Sequence, residues 1–196
     1  MRSIAFCICV LALLAIGAGA VEAGGPQLRH PGECPGQAGF ICSTLRVPVD
    51  YSGKVKGALD LAVAASPSGP RDVLLVLSGG PGQPGVSLVS RMAQRYRALA
   101  KRYRFVTIDQ RGTGAAALDC PALQQEMGFS DLQPPTAAAV RACAAKIGSK
   151  RAFYGTDDTV RDLDRLRLAL GVEPFSGTHS RFITEAIDLH WFPMQA

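Results

Sequence analysis

The stretch SGGPGQPG, residues 78–85, has the composition and the position of a ligand-binding turn. It follows the run Val73–Leu77, whose continuous apolar character is typical of a buried parallel strand. At the carboxyl end of such a strand, Gly-Gly-Pro-Gly lets the backbone approach a ligand without side chains in the way.

Three interpretations of this turn follow from the residues alone. Two backbone N–H groups aimed at one point would form an oxyanion hole for acyl transfer. The same groups would also suit a phosphate, although the phosphate-binding patterns G-x-x-x-x-G-K-S/T and G-x-G-x-x-G are absent here. The third interpretation is a turn with a structural role only.

The elements that must position the turn follow an α/β order. Residues 40–51 and 58–66 are two strand-like runs joined by turn-forming residues, which predicts a β-hairpin. A strand at 72–78, a helix at about 86–101 and a strand at 104–109 then predict a parallel crossover.

The remaining segments carry weaker patterns. We expect an extended lead-in at 24–39, an irregular excursion at 115–135 and a helix at about 136–147. A last helix is predicted from Asp157 to Leu170, capped by Thr156, with a buried stripe formed by Val160, Leu163, Leu166 and Leu170. Its four aspartates, at 157, 158, 162 and 164, are interpreted as capping and surface-pairing residues.

Length, composition and charge restrict the class of protein. The 196 residues, 47% hydrophobic and 19% charged, suit one globular domain and exclude a disordered chain.

The basic residues behind the net charge of +5 are concentrated in RMAQRYRALAKRYR, residues 91–104. We interpret this segment as the solvated face of an amphipathic helix, with a buried stripe of Val89, Met92, Tyr96, Leu99 and Tyr103, and expect no nucleic-acid partner.

The first 23 residues have the pattern of a cleaved secretory signal. Arg2 precedes an apolar run from Ile4 to Ile16, and small residues then allow cleavage after Ala23 or, as a second option, after Ala20. The apolar run falls short of a membrane-spanning helix, so we expect no stable membrane anchor. The sequence therefore predicts a secreted or periplasmic protein.

Four cysteines remain after the signal, and an even number in an exported chain favours disulfides. Three connectivities are open to four cysteines. We choose the local pairs Cys34–Cys42 and Cys120–Cys143 because each closes a modest loop. Metal-binding spacing is absent, so neither a metal nor any other cofactor is expected.

Several motifs together resemble the α/β-hydrolases, in particular the proline iminopeptidases and secreted tripeptidyl aminopeptidases. SGGPGQPG and the later VTIDQRGTG, residues 106–114, are similar to the family's His-Gly-Gly-Pro-Gly and Asp-Gln-Arg-Gly-x-Gly elements. CSTLRVPVDY, the cysteine pair and YGTDDTVRDLDRLRLALGV fall in the same order as in exported members. The resemblance covers about residues 40–173 and implies the fold of an incomplete α/β-hydrolase sheet, with a hairpin, parallel strands and flanking helices.

The resemblance also implies roles for individual residues. Gly79 and Gly80 would donate the oxyanion hydrogen bonds, while the remaining motif residues would shape the site: Pro81, Gly82, Asp109, Gln110, Arg111 and Gly112. Two positions depart from the family pattern, since Ser78 replaces a histidine and Ala116 stands where a serine is usual. The implied substrate is a peptide or a small ester.

The tail at 174–196 departs from the family after the helix that ends at Leu170. A strand followed by G-x-S-x-G should supply the nucleophile there, yet neither Ser176 nor Ser180 has that context. We do not interpret the adjacent His179 and Ser180 as a catalytic pair, and we expect a short helix that includes Phe182 and Ile187.

The sequence thus predicts the N-terminal part of an exported serine hydrolase, inactive as written. The alternative is a non-catalytic secreted binding protein or one half of a split enzyme. Without a nucleophile strand beside it, the strand at Val73–Leu77 would be an exposed apolar edge, through which the chain would self-associate.

Overall fold

The computed structural model describes residues 25–68, 72–79, 82–128 and 133–172, and the backbone of one further strand at 183–187. Six strands form one mixed sheet in the order β1-β2-β3-β5-β4-β6. Their bounds are β1 Leu28–Glu33, β2 Ile41–Pro48, β3 Ala58–Ala65, β4 Val73–Ser78, β5 Arg104–Ile108 and β6 Ile183–Ile187. The helices are α1 Val89–Arg95, α2 Arg97–Ala100, α3 Pro121–Met127, α4 Ala137–Ile147 and α5 Thr156–Ala169.

The predicted hairpin is confirmed, and it carries a strand that the sequence did not predict. β2 and β3 pair antiparallel along their full length, from Ile41 opposite Ala65 to Pro48 opposite Ala58. β1 pairs antiparallel with the outer side of β2 inside the segment expected only as an extended lead-in. Its sequence LRHPGE lacks alternation, and the register shifts between Arg29 and Gly32, so the pattern of a strand is interrupted.

The parallel part of the sheet holds the turn. β4 and β5 pair in parallel, with Val73 opposite Arg104, as the strand-helix-strand order predicted. Every residue of β4 is buried. This mixed sheet with flanking helices is an incomplete α/β fold.

On its other side β4 pairs with β6, also in parallel, from Leu74 opposite Ile183 to Ser78 opposite Ile187. The expectation of a short helix around Ile187 is therefore wrong, and β4 is not an exposed edge. Backbone hydrogen bonds and the β-branched residues of ITEAI favour a strand at this position. Self-association of the chain stays a prediction, now without that premise.

Successive side chains of β4 point to opposite faces of the sheet and so belong to two separate core clusters. Val73, Leu75 and Leu77 pack in a cluster that also contains Leu166 of α5. Leu74 and Val76 pack on the opposite face with a cluster that includes Val89, Met92 and Phe105. Helices therefore cover both faces, as a strand buried on both sides requires.

The single helix predicted at about 86–101 is wrong, because the basic segment forms two short helices, α1 and α2, which meet at Tyr96, where the backbone leaves the helical conformation. Its predicted apolar stripe is confirmed, because all five members are buried or pack against the core: Val89, Met92, Tyr96, Leu99 and Tyr103.

Helix α5 differs from its prediction in three respects. The N-cap is Gly155 and no side chain caps the helix, so Thr156 is its first residue. Val160 is 57% exposed, whereas Asp158, Asp162 and Leu166 are buried. Of the predicted stripe, Leu166 is buried and Leu163 and Leu170 pack against the core, so only Val160 was placed wrongly. The core-facing side also includes Asp158 and Asp162, which are spaced four residues apart with Leu166.

The segment between β5 and α5 is more regular than expected. It contains α3, which was predicted as part of an irregular excursion, and α4, whose N-cap Thr136 accepts a hydrogen bond from the Ala139 N–H at 3.3 Å.

The two predicted disulfides are confirmed: Cys34 is joined to Cys42 and Cys120 to Cys143. In the described part of the chain, none of the helices has the length and apolar character needed to cross a bilayer.

Candidate functional site

The Gly/Pro turn begins at the carboxyl end of β4. Ser78 is buried, Gly79 is half-buried, and Gly82 has a φ of +86°, a conformation that favours glycine. Gly80 and Pro81 lie outside the described residues. The structure thus describes how the turn is entered and left, and the two donors assigned to Gly79 and Gly80 stay predictions.

Both ends of the turn are held by adjacent residues that follow β5. The Gln110 side-chain amide donates to the Ser78 carbonyl at 3.2 Å, where the turn begins. The Asp109 carboxylate accepts from the Val86 N–H at 2.8 Å, where the turn ends. Two consecutive side chains therefore fix the entry and the exit of the same loop.

Two glycines permit this close approach. A Cβ atom on Gly85 would lie 2.4 Å from the Thr107 Oγ1 and 2.9 Å from the Ile108 carbonyl oxygen. A Cβ atom on Gly114 would lie 1.9 Å from the Asp109 Oδ2, and this glycine also has a φ of +57°. The glycines of both motifs are thus required by the packing of the turn against β5 and Asp109.

Asp109 is held in an unusual electrostatic environment. It is 5% exposed, and burial raises the pKa of its carboxyl group, against the hydrogen bonds from the Val86 and Gly85 N–H groups that lower it. Backbone donors therefore position this carboxylate, and desolvation of its charge is the dominant effect.

Arg111, the next motif residue, points to a different part of the molecule. Its guanidinium group donates to both carboxylate oxygens of Asp162, each at 2.7 Å. The other donors bind backbone carbonyls: Val49 at 3.1 Å, Pro48 at 3.3 Å and Phe153. One buried side chain therefore ties the hairpin, the segment before α5 and α5 itself to the loop after β5.

Asp162 completes this cluster from α5. It is 1% exposed and also accepts a hydrogen bond from the Tyr51 hydroxyl at 2.7 Å. Burial, followed by the contact with Asp162, raises the pKa of Tyr51. Interpreting Asp162 as a surface-pairing residue is therefore wrong, whereas Asp164 does pair at the surface, with Arg167 at 2.8 Å.

The residue after Arg111 is a glycine for a similar reason. Gly112 has a φ of +83°, and a Cβ atom there would lie 3.2 Å from the Tyr154 ring and 3.5 Å from the Leu118 side chain. The loop therefore turns tightly between these two side chains.

Ser176, His179, Ser180 and His190 lie outside the described residues, so their predicted lack of a catalytic arrangement is not tested. In the described ranges, no group of three or more His, Cys, Asp or Glu side chains has the arrangement of a metal site. The residues brought together are thus those that shape the turn: Ser78, Gly79, Gly85, Asp109, Gln110 and Gly114.

No family model matches the chain, but comparison with known proteins gives relatives that are named as a protease, a hydrolase and a peptidase. The serine protease Hip1 of Mycobacterium tuberculosis is 28% identical over 74% of this chain and 31% of its own length. The tripeptidyl aminopeptidase of Streptomyces lividans is 30% identical over 66% of this chain and 28% of its own. The hydrolase YuaR of Escherichia coli is 26% identical over 77% and 33%. The chain therefore spans about a third of the length of these relatives.

Proposed function

From its relationship to the α/β-hydrolase family, we propose that this chain is the N-terminal part of an exported serine hydrolase of the aminopeptidase type. The chain covers part of the length of its relatives, and that part fits their N-terminal region. The whole enzyme would cleave a peptide or a small ester by acylating a serine. In it, the turn after β4 would stabilise the oxyanion of the tetrahedral intermediate.

One observation carries this proposal: Gln110 and Asp109 hold the two ends of the turn. An oxyanion hole needs donors that are fixed before the reaction, because reorganising them in the transition state would cost free energy. A turn clamped at Ser78 and at Val86 meets that requirement.

The order of the strands supports the same proposal. β4 lies between β5 and a second parallel strand, β6, and parallel strands end at the same edge of a sheet. The resemblance implies that the nucleophile strand stands at the β6 position, beside the Gly-Gly turn. Substrate would then bind at the carboxyl edge, next to Gly79.

The 196-residue chain by itself would be inactive. The residues that follow β6 in the sequence are Asp-Leu-His-Trp, and the chain contains no G-x-S-x-G element. The two disulfides suit an oxidising compartment, which supports export, and cleavage of residues 1–23 as a signal belongs to the same proposal.

A fluorophosphonate probe tests the proposed inactivity. We expect no adduct on the purified chain, while Hip1, a serine protease by name, serves as the positive control. A labelled serine in this chain would overturn the proposal of inactivity.

Translation of the DNA downstream of codon 173 in all three frames tests the hydrolase proposal itself. A G-x-S-x-G element preceded by a strand pattern is expected in one frame. If all three frames lack it, a different function follows, such as a non-catalytic exported binding protein.

A further inference from the structure

The Cys120–Cys143 disulfide lies beside a cavity of about 280 Å³ between α3 and α4. Both half-cystines line this cavity. The other lining residues are mainly small or apolar: Pro121, Ala122, Leu123, Ala139, Ala142 and Lys146. A half-cystine that lines a cavity leaves room for the approach of a third sulfur, which thiol–disulfide exchange requires.

Helix α3 has few other attachments. None of its residues, all of which are described, is buried, and Ala139 is the only buried residue of α4. Glu126 at the end of α3 accepts hydrogen bonds from the Thr136 N–H at 2.7 Å and hydroxyl at 2.9 Å, but these groups are exposed. Lys146 of α4 also pairs with Asp119, next to Cys120, at 2.8 Å, and this pair is exposed as well. The disulfide is therefore the covalent link between the two helices.

The Cys34–Cys42 disulfide has different surroundings. Cys34 belongs to the buried cluster that contains Leu74, Val76 and Phe105, and Cys42 packs against it. Cys42 also pairs with Gly32 on one side and with Ala64 on the other, inside the sheet. The exposed fractions do not separate the two disulfides, because Cys34 and Cys120 are 6% and 5% exposed and Cys42 and Cys143 are both half-buried. They differ in what surrounds them: Cys34–Cys42 is enclosed by core side chains and paired strands, and Cys120–Cys143 lines a cavity.

We propose that Cys120–Cys143 is a thiol–disulfide exchange site for a dithiol reductant, while Cys34–Cys42 is a structural disulfide. A thiolate of the reductant attacks the Sγ of Cys143, which is the less buried residue of the pair, and forms a mixed disulfide. The S–S bond breaks, and the Cys120 sulfur leaves as a thiolate that takes a proton from water. The second thiol of the reductant then displaces Cys143, which leaves two protein thiols and an oxidised reductant.

The exchange has a defined structural consequence. Because α3 contributes no buried residue, its release leaves both core clusters intact. Reduction is therefore a local opening of the α3–α4 pair, and the sheet stays folded.

Graded reduction of the folded chain with dithiothreitol, followed by alkylation and peptide mass spectrometry, tests the proposal. We expect Cys120 and Cys143 to be alkylated at least about tenfold faster than Cys34 and Cys42. Equal rates, or faster labelling of Cys34 and Cys42, would overturn it.

Two substitutions of the same size on α4 test the role of the cavity. Ala142→Leu adds volume inside the cavity and should slow the alkylation of Cys143 several-fold, whereas Ala145→Leu, exposed on the same helix and outside the lining, should not. Equal rates in the two variants would exclude the cavity as the route.

Hydrogen exchange of the reduced chain should rise over residues 121–127 and stay low in β2–β4. Exchange that rises in both regions would mean global unfolding and would contradict the proposal.

Discussion

Two buried carboxylates, Asp109 of the DQRGTG motif and Asp162 of α5, which pairs with Arg111 of that motif, are held in contrasting ways. Asp162 meets the guanidinium group of Arg111 and the hydroxyl of Tyr51. Asp109, only slightly more exposed, accepts hydrogen bonds from the backbone N–H groups of Gly85 and Val86, and in the described ranges no ion pair is formed by it.

The contrast shows that Asp162 stabilises the fold through its ion pair, whereas burying the charge of Asp109 costs free energy of folding. A buried ion pair with every donor satisfied holds elements together, and removing either partner leaves the other unpaired. A buried carboxylate with neutral donors loses hydration without a compensating charge. Such an arrangement is expected where a loop must be held in one conformation for binding or catalysis.

The largest effect is expected from breaking the Asp162 side. Arg111→Met leaves Asp162 buried without its cation and three backbone carbonyls without their donor, which should lower the free energy of unfolding by about 3–5 kcal/mol. Urea unfolding followed by far-UV circular dichroism measures it. The control is Arg46→Met, which removes an exposed pair with Asp60 and should cost less than about 1 kcal/mol. Equal losses in the two variants would show that the cluster is not a stabilising centre.

A clash on the Asp109 side should give the next largest effect. Gly114→Ala places a methyl group on the Asp109 carboxylate and should cost about 3 kcal/mol in the same unfolding experiment. Gly171→Ala is the matched control, because Gly171 has a φ of +67° and, among the described residues, no atom lies within 4 Å of an added Cβ, so we expect only the backbone penalty of about 1 kcal/mol. Similar losses would mean that the Asp109 contact is easily relieved.

Tyr51→Phe sharpens the description of the Asp162 side. It removes one hydrogen bond to a charged group, at about 1.5 kcal/mol. Because the pKa of Tyr51 is raised in the folded chain, the wild type should lose stability as the pH rises above about 10, the ordinary tyrosine pKa, and the variant should lose less. In an absorbance titration at high pH, the difference in ionised tyrosine between the unfolded and the folded chain should be larger in the wild type than in the variant, by one tyrosine.

The smallest effect concerns the charge of Asp109. Because its pKa is raised on folding, the free energy of unfolding should fall as the pH rises from the ordinary carboxyl pKa, near 3.9, through the raised value. Asp109→Asn removes this contribution and should flatten the pH dependence relative to wild type. Asp60→Asn, at an exposed carboxylate, is the control and should keep the pH dependence of the free energy of unfolding that Asp109 causes. A wild-type slope that persists in Asp109→Asn would assign it to other groups.

The fold was predictable from sequence where one element had one dominant pattern. The apolar run of β4 and the apolar stripe of the basic segment were predicted correctly, because burial on two faces and on one face leave different periodicities. The break at Tyr96, which divides the predicted helix into α1 and α2, left no such signal. β1 and β6 were missed, since pairing with a neighbour stabilises them and neither LRHPGE nor ITEAI has a periodic pattern that identifies a strand.

Within the site, the motif residues were found by resemblance, but their partners were not. Asp162 resembled the other aspartates of α5 and was placed at the surface with them. The available signal was its spacing of four from both Asp158 and Leu166, which places all three on one helix face. A buried arginine in the motif also requires a carboxylate, and only the tertiary arrangement decides which aspartate provides it.

The pairing of β4 with β6 has a consequence for the way the chain is made. Ser78 and Ile183 are separated by 105 positions in the sequence, so the partner of β4 is synthesised late. At about 5–20 residues per second, one side of β4 would wait roughly 5–20 seconds for its neighbour after leaving the ribosome. During that interval we expect a nascent chain to present an unpaired apolar strand, the kind of exposed segment against which chaperones protect folding chains.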